Sequence, residues 1–118
     1  MSLSGFRFAE SAKRETLHIL KSSAKRFGVE AARRYRILIE QAVSDLVDEP
    51  DRAGGRLVDG RLHYHLRHSR NHVAGGKVRE PRHILVCKIV GETLYVLAVG
   101  HDAMEEGLTR RIDEGEGR

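Results

Sequence analysis

Histidines and basic side chains are concentrated in one stretch of this 118-residue chain. Residues 61–88 contain seven Lys and Arg residues but only one acid, Glu80. Five of the seven histidines also lie there, namely His63, His65, His68, His72 and His83. Imidazoles exchange protons near neutral pH, and guanidinium groups bind phosphate and carboxylate oxygens. The stretch is therefore suited to acid-base chemistry or to binding an anionic partner.

RNA cleavage is the most specific chemistry that these residue types allow. It needs a general base for the 2′-hydroxyl, a general acid for the leaving oxygen, and cations beside the phosphate. Arg67 and Arg82 are the candidates for the cations, and His68 and His101 are the candidates for the base and the acid. The same residues also fit a surface that binds a partner without chemistry, or a charged face that is merely solvated.

Metal and thiol chemistry are disfavoured by the spacing. His63 and His65 alternate on one strand face, but no cysteine pair or nearby carboxylate completes a ligand set. The arginines between these histidines would also oppose a cation. Cys87, the only cysteine, lies in an apolar run and is interpreted as a core residue. We therefore expect neither a metal nor another cofactor.

The composition predicts one domain over residues 1–118, with flexible ends at 1–5 and 113–118. The chain is 40% hydrophobic and has a formal net charge of +4. A lone cysteine cannot form an internal disulfide, which is typical of the reducing cytoplasm. No apolar run reaches the roughly 18 residues of a membrane span. A cytoplasmic protein without membrane contact is expected.

The N-terminal half predicts a strand followed by two helices. Phe6–Ala9 alternates as a first, edge strand does, and Ser11 can cap the first helix. Gly28 suits the turn between the helices, and Pro50 ends the second helix, predicted over Val29–Asp48. The helical residues expected to face inwards are Leu17, Leu20, Ala24, Phe27, Ala32, Tyr35, Ile39, Ala42 and Leu46.

The next part of the chain shows the period-two pattern of strands. After a predicted loop over Asp51–Gly60, residues 62–67 alternate between apolar and basic side chains. This alternation predicts one buried face and one cationic face that is open to solvent. The cationic face comprises His63, His65 and Arg67. A polar loop is predicted over Ser69–Pro81.

The last two strands, Ile84–Val90 and Thr93–Val99, are predicted to form a hairpin through Gly91-Glu92. His101–Ile112 follows as a short helix. The acidic segment His101–Arg118 can fold back on the basic sheet or remain a solvated end, and the second is the default expectation. The order β-α-α-β-β-β(-α) predicts an α+β fold. In it, a helical hairpin packs on a small, mainly antiparallel sheet.

With these residues in this order, the chain resembles the ParE/RelE superfamily of bacterial toxins. It is most similar to the ParE-like plasmid-stabilisation toxins. Three stretches carry the resemblance: Ala31–Tyr35 with the ending at Leu46 and Pro50, then Leu66–Arg70 with Pro81–Val86, and finally Val96–Glu105. Gly100 stands where the family usually has a leucine.

The resemblance implies the toxin of a type II toxin–antitoxin system, neutralised in a heteromeric complex by a ParD-like antitoxin of the ribbon-helix-helix type. ParE-like members inhibit DNA gyrase by binding, whereas RelE-like members cut messenger RNA on the ribosome. RelE-like enzymes commonly place a tyrosine near the C-terminal end, but the last tyrosine here is Tyr95, within a strand. We therefore expect a non-enzymatic gyrase inhibitor. The alternatives are a ribosome-dependent endoribonuclease and an inactive homologue that binds only antitoxin.

Two surfaces follow from the resemblance. The helical hairpin is expected to bind the antitoxin, through Leu17, Leu20, Tyr35 and Ile39. The basic strand, the polar loop and the C-terminal segment are expected to face the target. The predicted target-binding residues are Arg67, His68, Arg70, His72, Arg79, Arg82, His101 and Met104.

Overall fold

The computed structural model of the protein describes residues 2–73 and 76–116, without the side chains of residues 109, 111 and 113–116. Its elements are β1 (Gly5–Phe8), α1 (Glu10–Phe27), α2 (Val29–Asp48), β2 (Gly55–Val58), β3 (Arg61–His65), β4 (His83–Val90), β5 (Thr93–His101) and α3 (Glu105–Glu116). Short 3-10 turns lie at Leu66–His68, Arg70–His72 and Asp102–Met104. The α+β class is confirmed, with one more strand than predicted. None of the described helices is long and apolar enough to cross a bilayer.

The turn between α1 and α2 consists of one residue, Gly28. Its φ of 97° and ψ of 163° lie in a region that only glycine populates readily. Its N–H donates to Ala24 O at 2.9 Å. The predicted cap by Ser11 is wrong, because Ala9 precedes α1 and no side chain caps it. Ser11 Oγ instead donates to Leu97 O in the sheet, at 3.4 Å.

The five strands form one sheet in the order β1-β5-β4-β3-β2. β1 runs parallel to β5 and the other pairs are antiparallel, which confirms a mainly antiparallel sheet with β1 at an edge. The loop predicted over Asp51–Gly60 instead contains the second edge strand, β2. Asp59 and Gly60 have φ values of 52° and 78°, as a two-residue turn of type I′ requires.

The helical hairpin covers one face of the sheet. Ile39 and Leu46 of α2 are buried there, at 2% and 0% exposure. Two residues predicted to face inwards do not, since Leu17 is 59% exposed and Phe27 is 70% exposed. α1 approaches the sheet through the small side chain of Ala12, its one buried residue. The larger side chains of α1 therefore lie on its flanks.

The opposite face of the sheet is covered by α3. Leu108 and Ile112 pack there on residues of β4 and β5 that include Ile84 and Ala98. Gly100 provides the space, because a Cβ at this position would lie 2.6 Å from Leu108 Cδ1. β5 also continues past the predicted end at Val99.

Basic side chains on this second face are paired with acids of the C-terminal segment. His63 is 1% exposed, and its Nδ1 lies 2.5 Å from Glu105 Oε2. Arg56 Nη2 lies 2.6 Å from the same oxygen. His65 Nε2 lies 3.0 Å from Asp102 Oδ2. The prediction that this face is open to solvent was therefore wrong at His63 and His65, because Glu105 and Asp102 of the C-terminal segment pair with them, whereas Arg67 is exposed as predicted.

Parts of the two segments predicted to be flexible, 1–5 and 113–118, lie within the described residues. The backbone N–H groups of Leu3 and Ser4 each donate a 2.7 Å hydrogen bond to a carbonyl elsewhere in the chain. α3 continues to Glu116. The first residue and the last two lie outside the described part of the chain.

A buried carboxylate joins the hairpin to the segments that flank β2 and β3. Asp45 of α2 accepts hydrogen bonds from Ser69 Oγ (2.5 Å), Gln41 Nε2 (2.9 Å) and His72 Nδ1 (2.8 Å). It also lies 3.1 Å from Arg52 Nη1. Burial raises the pKa of Asp45, but these hydrogen bonds and the arginine charge outweigh burial. The pKa of this carboxyl therefore lies below its usual value.

Replacing Ile39 with Ala should lower the free energy of unfolding by about 2–5 kcal/mol, because it leaves a cavity beneath the hairpin. Urea denaturation followed by circular dichroism measures the change. Ile37 is the matched control, since it lies on the same helix and is 36% exposed. Ile37→Ala should cost less than about 1 kcal/mol. If both variants lose the same free energy of unfolding, the assignment of Ile39 to the buried face of α2 and Ile37 to its exposed face is contradicted.

Asp45→Asn should lower the free energy of unfolding by about 3 kcal/mol, because it removes the charge from a buried ion pair. The pKa of Asp45 is lower in the folded chain than in the unfolded one. Its stabilising contribution is therefore full above about pH 4 and is lost as the pH falls through the folded-state pKa. Between neutral and acidic pH, the wild type should lose more stability than the variant.

The control for this change is Asp48→Asn, which alters an exposed acid of the same helix. The free energy of unfolding of this variant should stay within about 0.5 kcal/mol of the wild-type value. It should also depend on pH as the wild-type value does. A wild-type pH dependence in Asp45→Asn would show that other carboxyls cause the acid sensitivity.

Candidate functional site at one end of the sheet

Three strand ends meet at one end of the sheet and bring three histidines together. β3 ends at His65, β4 begins at His83, and β5 ends at His101. The antiparallel register sets His83 opposite His101 and sets His65 opposite Ile84. We call this group the histidine end. It comprises Tyr35, His65, Arg82, His83, His101 and Asp102.

A β-bulge decides which face of the sheet carries His101. The register between β4 and β5 shifts between Val86 and Cys87, and Leu97 is the extra residue of β5. Because an extra residue shifts the alternation of side chains, His101 lies on the hairpin face, beside His83. The two imidazole rings are edge-to-face, with centroids 5.5 Å apart.

Side chains of α1 bind the backbone on either side of this bulge. Ser11 Oγ donates to Leu97 O at 3.4 Å. Val99 N–H donates to Glu15 Oε1 at 3.0 Å. Backbone groups next to a bulge lose ladder partners, and an unpaired buried group is costly. α1 therefore stabilises the bulge that positions His101.

Tyr35 is hydrogen-bonded to His83. The backbone N–H of Arg82 donates to Tyr35 Oη at 3.2 Å, and the same oxygen lies 2.5 Å from His83 Nδ1. When the phenol is the donor of this second bond, the neutral ring of His83 carries its hydrogen on Nε2. Burial lowers the pKa of His83 to about 4, with help from His101, and the ring is neutral at pH 7. Burial likewise raises the pKa of Tyr35 to about 12.

Asp102 joins the three histidines to a cation. It accepts a hydrogen bond from His65 Nε2 at 3.0 Å, and Arg82 Nη2 lies 3.5 Å from its other oxygen. The hydrogen bond from His65 lowers the pKa of Asp102 most, and the charge of Arg82 lowers it further. The Nδ1 atoms of His65 and His101 each accept, at 3.1 Å, the backbone N–H two residues further along the chain.

The histidine end therefore combines imidazoles, a phenol, a carboxylate and a guanidinium. Such groups can transfer protons at a phosphate or bind an anion. Cys87 contributes no nucleophile, because it is buried and burial raises the pKa of its thiol to about 12. Within the described ranges, no group of three or more His, Cys, Asp or Glu residues is arranged to hold a metal ion.

Most of the predicted target-binding residues are exposed. Two of them, Arg82 and His101, belong to the histidine end. Arg67 and Met104 lie in the 3-10 turns that follow β3 and β5. Arg70 Nη1 donates a 2.7 Å hydrogen bond to the backbone oxygen of Arg79. The exposed members are Arg67, Arg70, His72, Arg79, Arg82, His101 and Met104.

His68 and His72 are held away from the histidine end. The ring of His68 packs on Tyr64, with centroids 5.6 Å apart, and burial lowers its pKa. His72 donates to the buried carboxylate of Asp45. Of the two histidines proposed for acid-base chemistry, His68 and His101, only His101 thus lies with other titratable groups of the site.

The basic strand and the segment His101–Met104 were predicted to face the target, but His83, His65 and Asp102 were not among the residues named individually for that surface. A usable signal existed for the first of these. Counting outwards from the Gly91-Glu92 turn sets His83 opposite Gly100, one residue short of His101. The bulge in β5 makes up the difference, and nothing in the local pattern indicates the bulge.

A groove of about 800 Å³ runs between β1 and the helical hairpin. Leu17, Leu20 and Ile39, three of the four residues predicted to contact an antitoxin, line it together with Phe6. Leu17 and Phe6 are exposed at its rim, whereas Ile39 is buried at its floor. Tyr35, the fourth predicted residue, lies outside the groove and is bound within the histidine end.

Comparison with known proteins matches the chain to one family. The profile of the family described as "ParE toxin of type II toxin-antitoxin system, parDE" matches residues 6–106. The chain is similar to a chain of the chromosomal ParDE TA system from P. aeruginosa, with a TM-score of 0.61 and 16% identity, over 84% of this chain and 96% of that one. It is also similar to a chain of the toxin–antitoxin complex RelBE2 from Mycobacterium tuberculosis, with a TM-score of 0.49 and 21% identity, over 86% and 93% of the two chains. No curated protein sequence matches it.

Proposed function

Because the chain belongs to the ParE toxin family of type II toxin–antitoxin systems, we propose that it inhibits DNA gyrase by binding and that a cognate antitoxin neutralises it. The family match over residues 6–106 carries this proposal, since it spans both the groove and the histidine end. The similar structure from P. aeruginosa comes from a ParDE toxin–antitoxin system, which supports a heteromeric complex with an antitoxin. A gyrase inhibitor of this kind acts in the cytoplasm.

The groove beside the hairpin is the proposed antitoxin site. Its exposed apolar rim, with Phe6 and Leu17, is a surface that an amphipathic helix or an added strand can bury. β1 offers a free edge of the sheet next to it. Lys13, Arg36 and Glu40 supply charges along the same groove. An antitoxin segment with apolar side chains and flanking acids fits these features.

The exposed arginines near the histidine end are the proposed contact with the target. Two acids of the C-terminal segment are committed to other basic residues, because Glu105 is bound to Arg56 and His63 and Asp102 is bound to His65. Arg67, Arg70 and their neighbours therefore keep an unbalanced positive charge. Such a patch attracts an acidic or nucleic-acid-bound partner and is weakened by salt.

One observation favours the second candidate, a ribosome-dependent endoribonuclease. Tyr35, His83 and His101 form a connected chain of acid-base groups, and Arg82 lies beside them. General acid-base cleavage of a phosphodiester needs such a constellation. His101 is the residue to test first, because it is exposed and carries no buried ion pair.

Replacing Arg67, Arg70 or Arg82 with Ala should weaken inhibition of the target and leave stability within about 0.5 kcal/mol, because the side chains are exposed. Purified protein is assayed in parallel for inhibition of gyrase supercoiling and for cleavage of messenger RNA on programmed ribosomes. Inhibited supercoiling with intact messenger supports the proposal. Higher salt should reduce the difference between the wild type and the variants, because it screens the charge contact that the variants lack.

Messenger cleavage that disappears in His101→Ala, with supercoiling untouched, would establish the nuclease instead. Arg26→Ala is the matched control, because it removes an exposed arginine at the far end of α1 and should behave as wild type in both assays. If neither activity is found, the proposed target is wrong, and the remaining alternative is an inactive homologue that binds only antitoxin.

Leu17→Glu should weaken binding of the antitoxin at least ten-fold, which is about 1.4 kcal/mol, because it places a charge in the apolar groove. Isothermal titration with the antitoxin encoded beside the toxin measures the affinity. Val29→Glu is the control, since Val29 is an exposed apolar residue of the same hairpin that does not line the groove. Equal affinities of both variants would exclude this groove as the antitoxin site.

A further inference from the structure

A second, smaller cleft lies between α1 and the histidine end, separate from the antitoxin groove. It has a volume of about 420 Å³, within the size range of small-ligand sites. Arg14 and His18 line it from α1, and His83 and His101 line it from the sheet. Basic side chains from two different elements therefore face one concave surface. Neither the target surface nor the antitoxin groove accounts for Arg14 and His18.

The two sheet histidines each have Nδ1 bound within the fold. Tyr35 Oη lies 2.5 Å from His83 Nδ1, and the backbone N–H of Ala103 donates to His101 Nδ1. With Tyr35 as the donor of its bond, each ring in its neutral form carries its hydrogen on Nε2. In the described part of the chain, neither Nε2 atom has a hydrogen-bond partner.

We propose that this cleft binds the phosphoryl group of a small phosphorylated ligand, with His83 and His101 as N–H donors and Arg14 as the cation. The ring centroids are 5.5 Å apart, so the oxygens of one phosphoryl group can face both rings. A guanidinium group can donate two parallel hydrogen bonds to two oxygens of a phosphate, as it does to the two oxygens of a carboxylate. Inorganic phosphate and a phosphate monoester such as a nucleotide offer the same chemistry.

Two acids lie near the cleft, and donors in the fold hold both of them. Glu15 lines the cleft, and its Oε1 accepts the backbone N–H of Val99 at 3.0 Å. Asp102, 3.3 Å from His101 Nδ1, accepts from His65 and lies beside Arg82. Arg14 of the same cleft supplies a charge opposite to that of Glu15. An anion at Nε2 would approach the rings from the side away from Asp102.

The neutrality of His83 suits this role. Burial lowers the pKa of His83 to about 4, so at pH 7 the ring donates one hydrogen bond without bringing a buried charge into the core. Tyr35 acts here as a positioning residue, because it sets which ring nitrogen faces the cleft. This site does not depend on the proposed gyrase target, and a negative gyrase assay would leave it untouched.

Histidine-labelled full-length protein titrated with inorganic phosphate at pH 7 tests the proposal by NMR. The imidazole signals of His83 and His101 should shift and saturate. Chloride at the same ionic strength should shift neither. A nucleoside 5′-monophosphate separates the two sources of the ligand. Equal affinity means that the phosphoryl group alone is recognised, and at least ten-fold tighter binding means that the ligand is a nucleotide.

Arg14→Gln should weaken phosphate binding at least five-fold. The control is Arg26→Gln, which lies on the same helix about 18 Å along its axis and should bind as wild type. Tyr35→Phe should change the tautomer pattern of the His83 nitrogen signals and weaken binding. Unshifted imidazole signals, identical shifts with chloride, or equal binding by the two arginine variants would overturn the proposal. If Tyr35→Phe keeps the wild-type tautomer of His83 and the wild-type affinity for phosphate, Tyr35 has no part in the proposed site.

Discussion

The carboxylate of Asp45 is the constraint on which the geometry of this protein depends. A buried charge is stable only when donors surround it, and here the donors come from separate parts of the chain. Arg52 comes from the segment before β2, whereas Ser69 and His72 come from the turns after β3. Ser69 Oγ also lies 2.7 Å from the hydroxyl of Tyr64 on β3. The interaction therefore fixes α2 relative to the strand that delivers His65.

From that fixed strand, the position of the histidine end follows through hydrogen-bonded register. β3 sets β4, and β4 sets β5, so His65, His83 and His101 reach the same end of the sheet. The bulge at Leu97 then selects the face for His101. Ser11 and Glu15 bind the backbone beside this bulge from α1. The helical hairpin is thus more than a cover for the core, because it positions the residues of the site.

The features that could be predicted are those encoded within short stretches of sequence. The bounds of α2, the Gly28 turn and the Gly91-Glu92 hairpin were predicted from local propensity and periodicity, and β4 and β5 from apolar runs. The edge strand β2 was missed although Asp59-Gly60 is a strong hairpin signal. The bulge in β5 could not be predicted, because the groups that satisfy it are more than 80 residues away in sequence. The same holds for His63, whose partner Glu105 is 42 residues distant.

Gly100 shows how a departure from a family pattern can carry structural information. The family usually has a leucine at this position, but here a Cβ would meet Leu108 of α3 at 2.6 Å. The glycine therefore provides the space in which the C-terminal helix packs. With α3 in place, Glu105 reaches His63 and Arg56, and Asp102 just before the helix reaches His65. One small residue in β5 thus allows the acids of the C-terminal segment to pair with basic side chains of the sheet, and Arg67 and Arg70 stay exposed beside them.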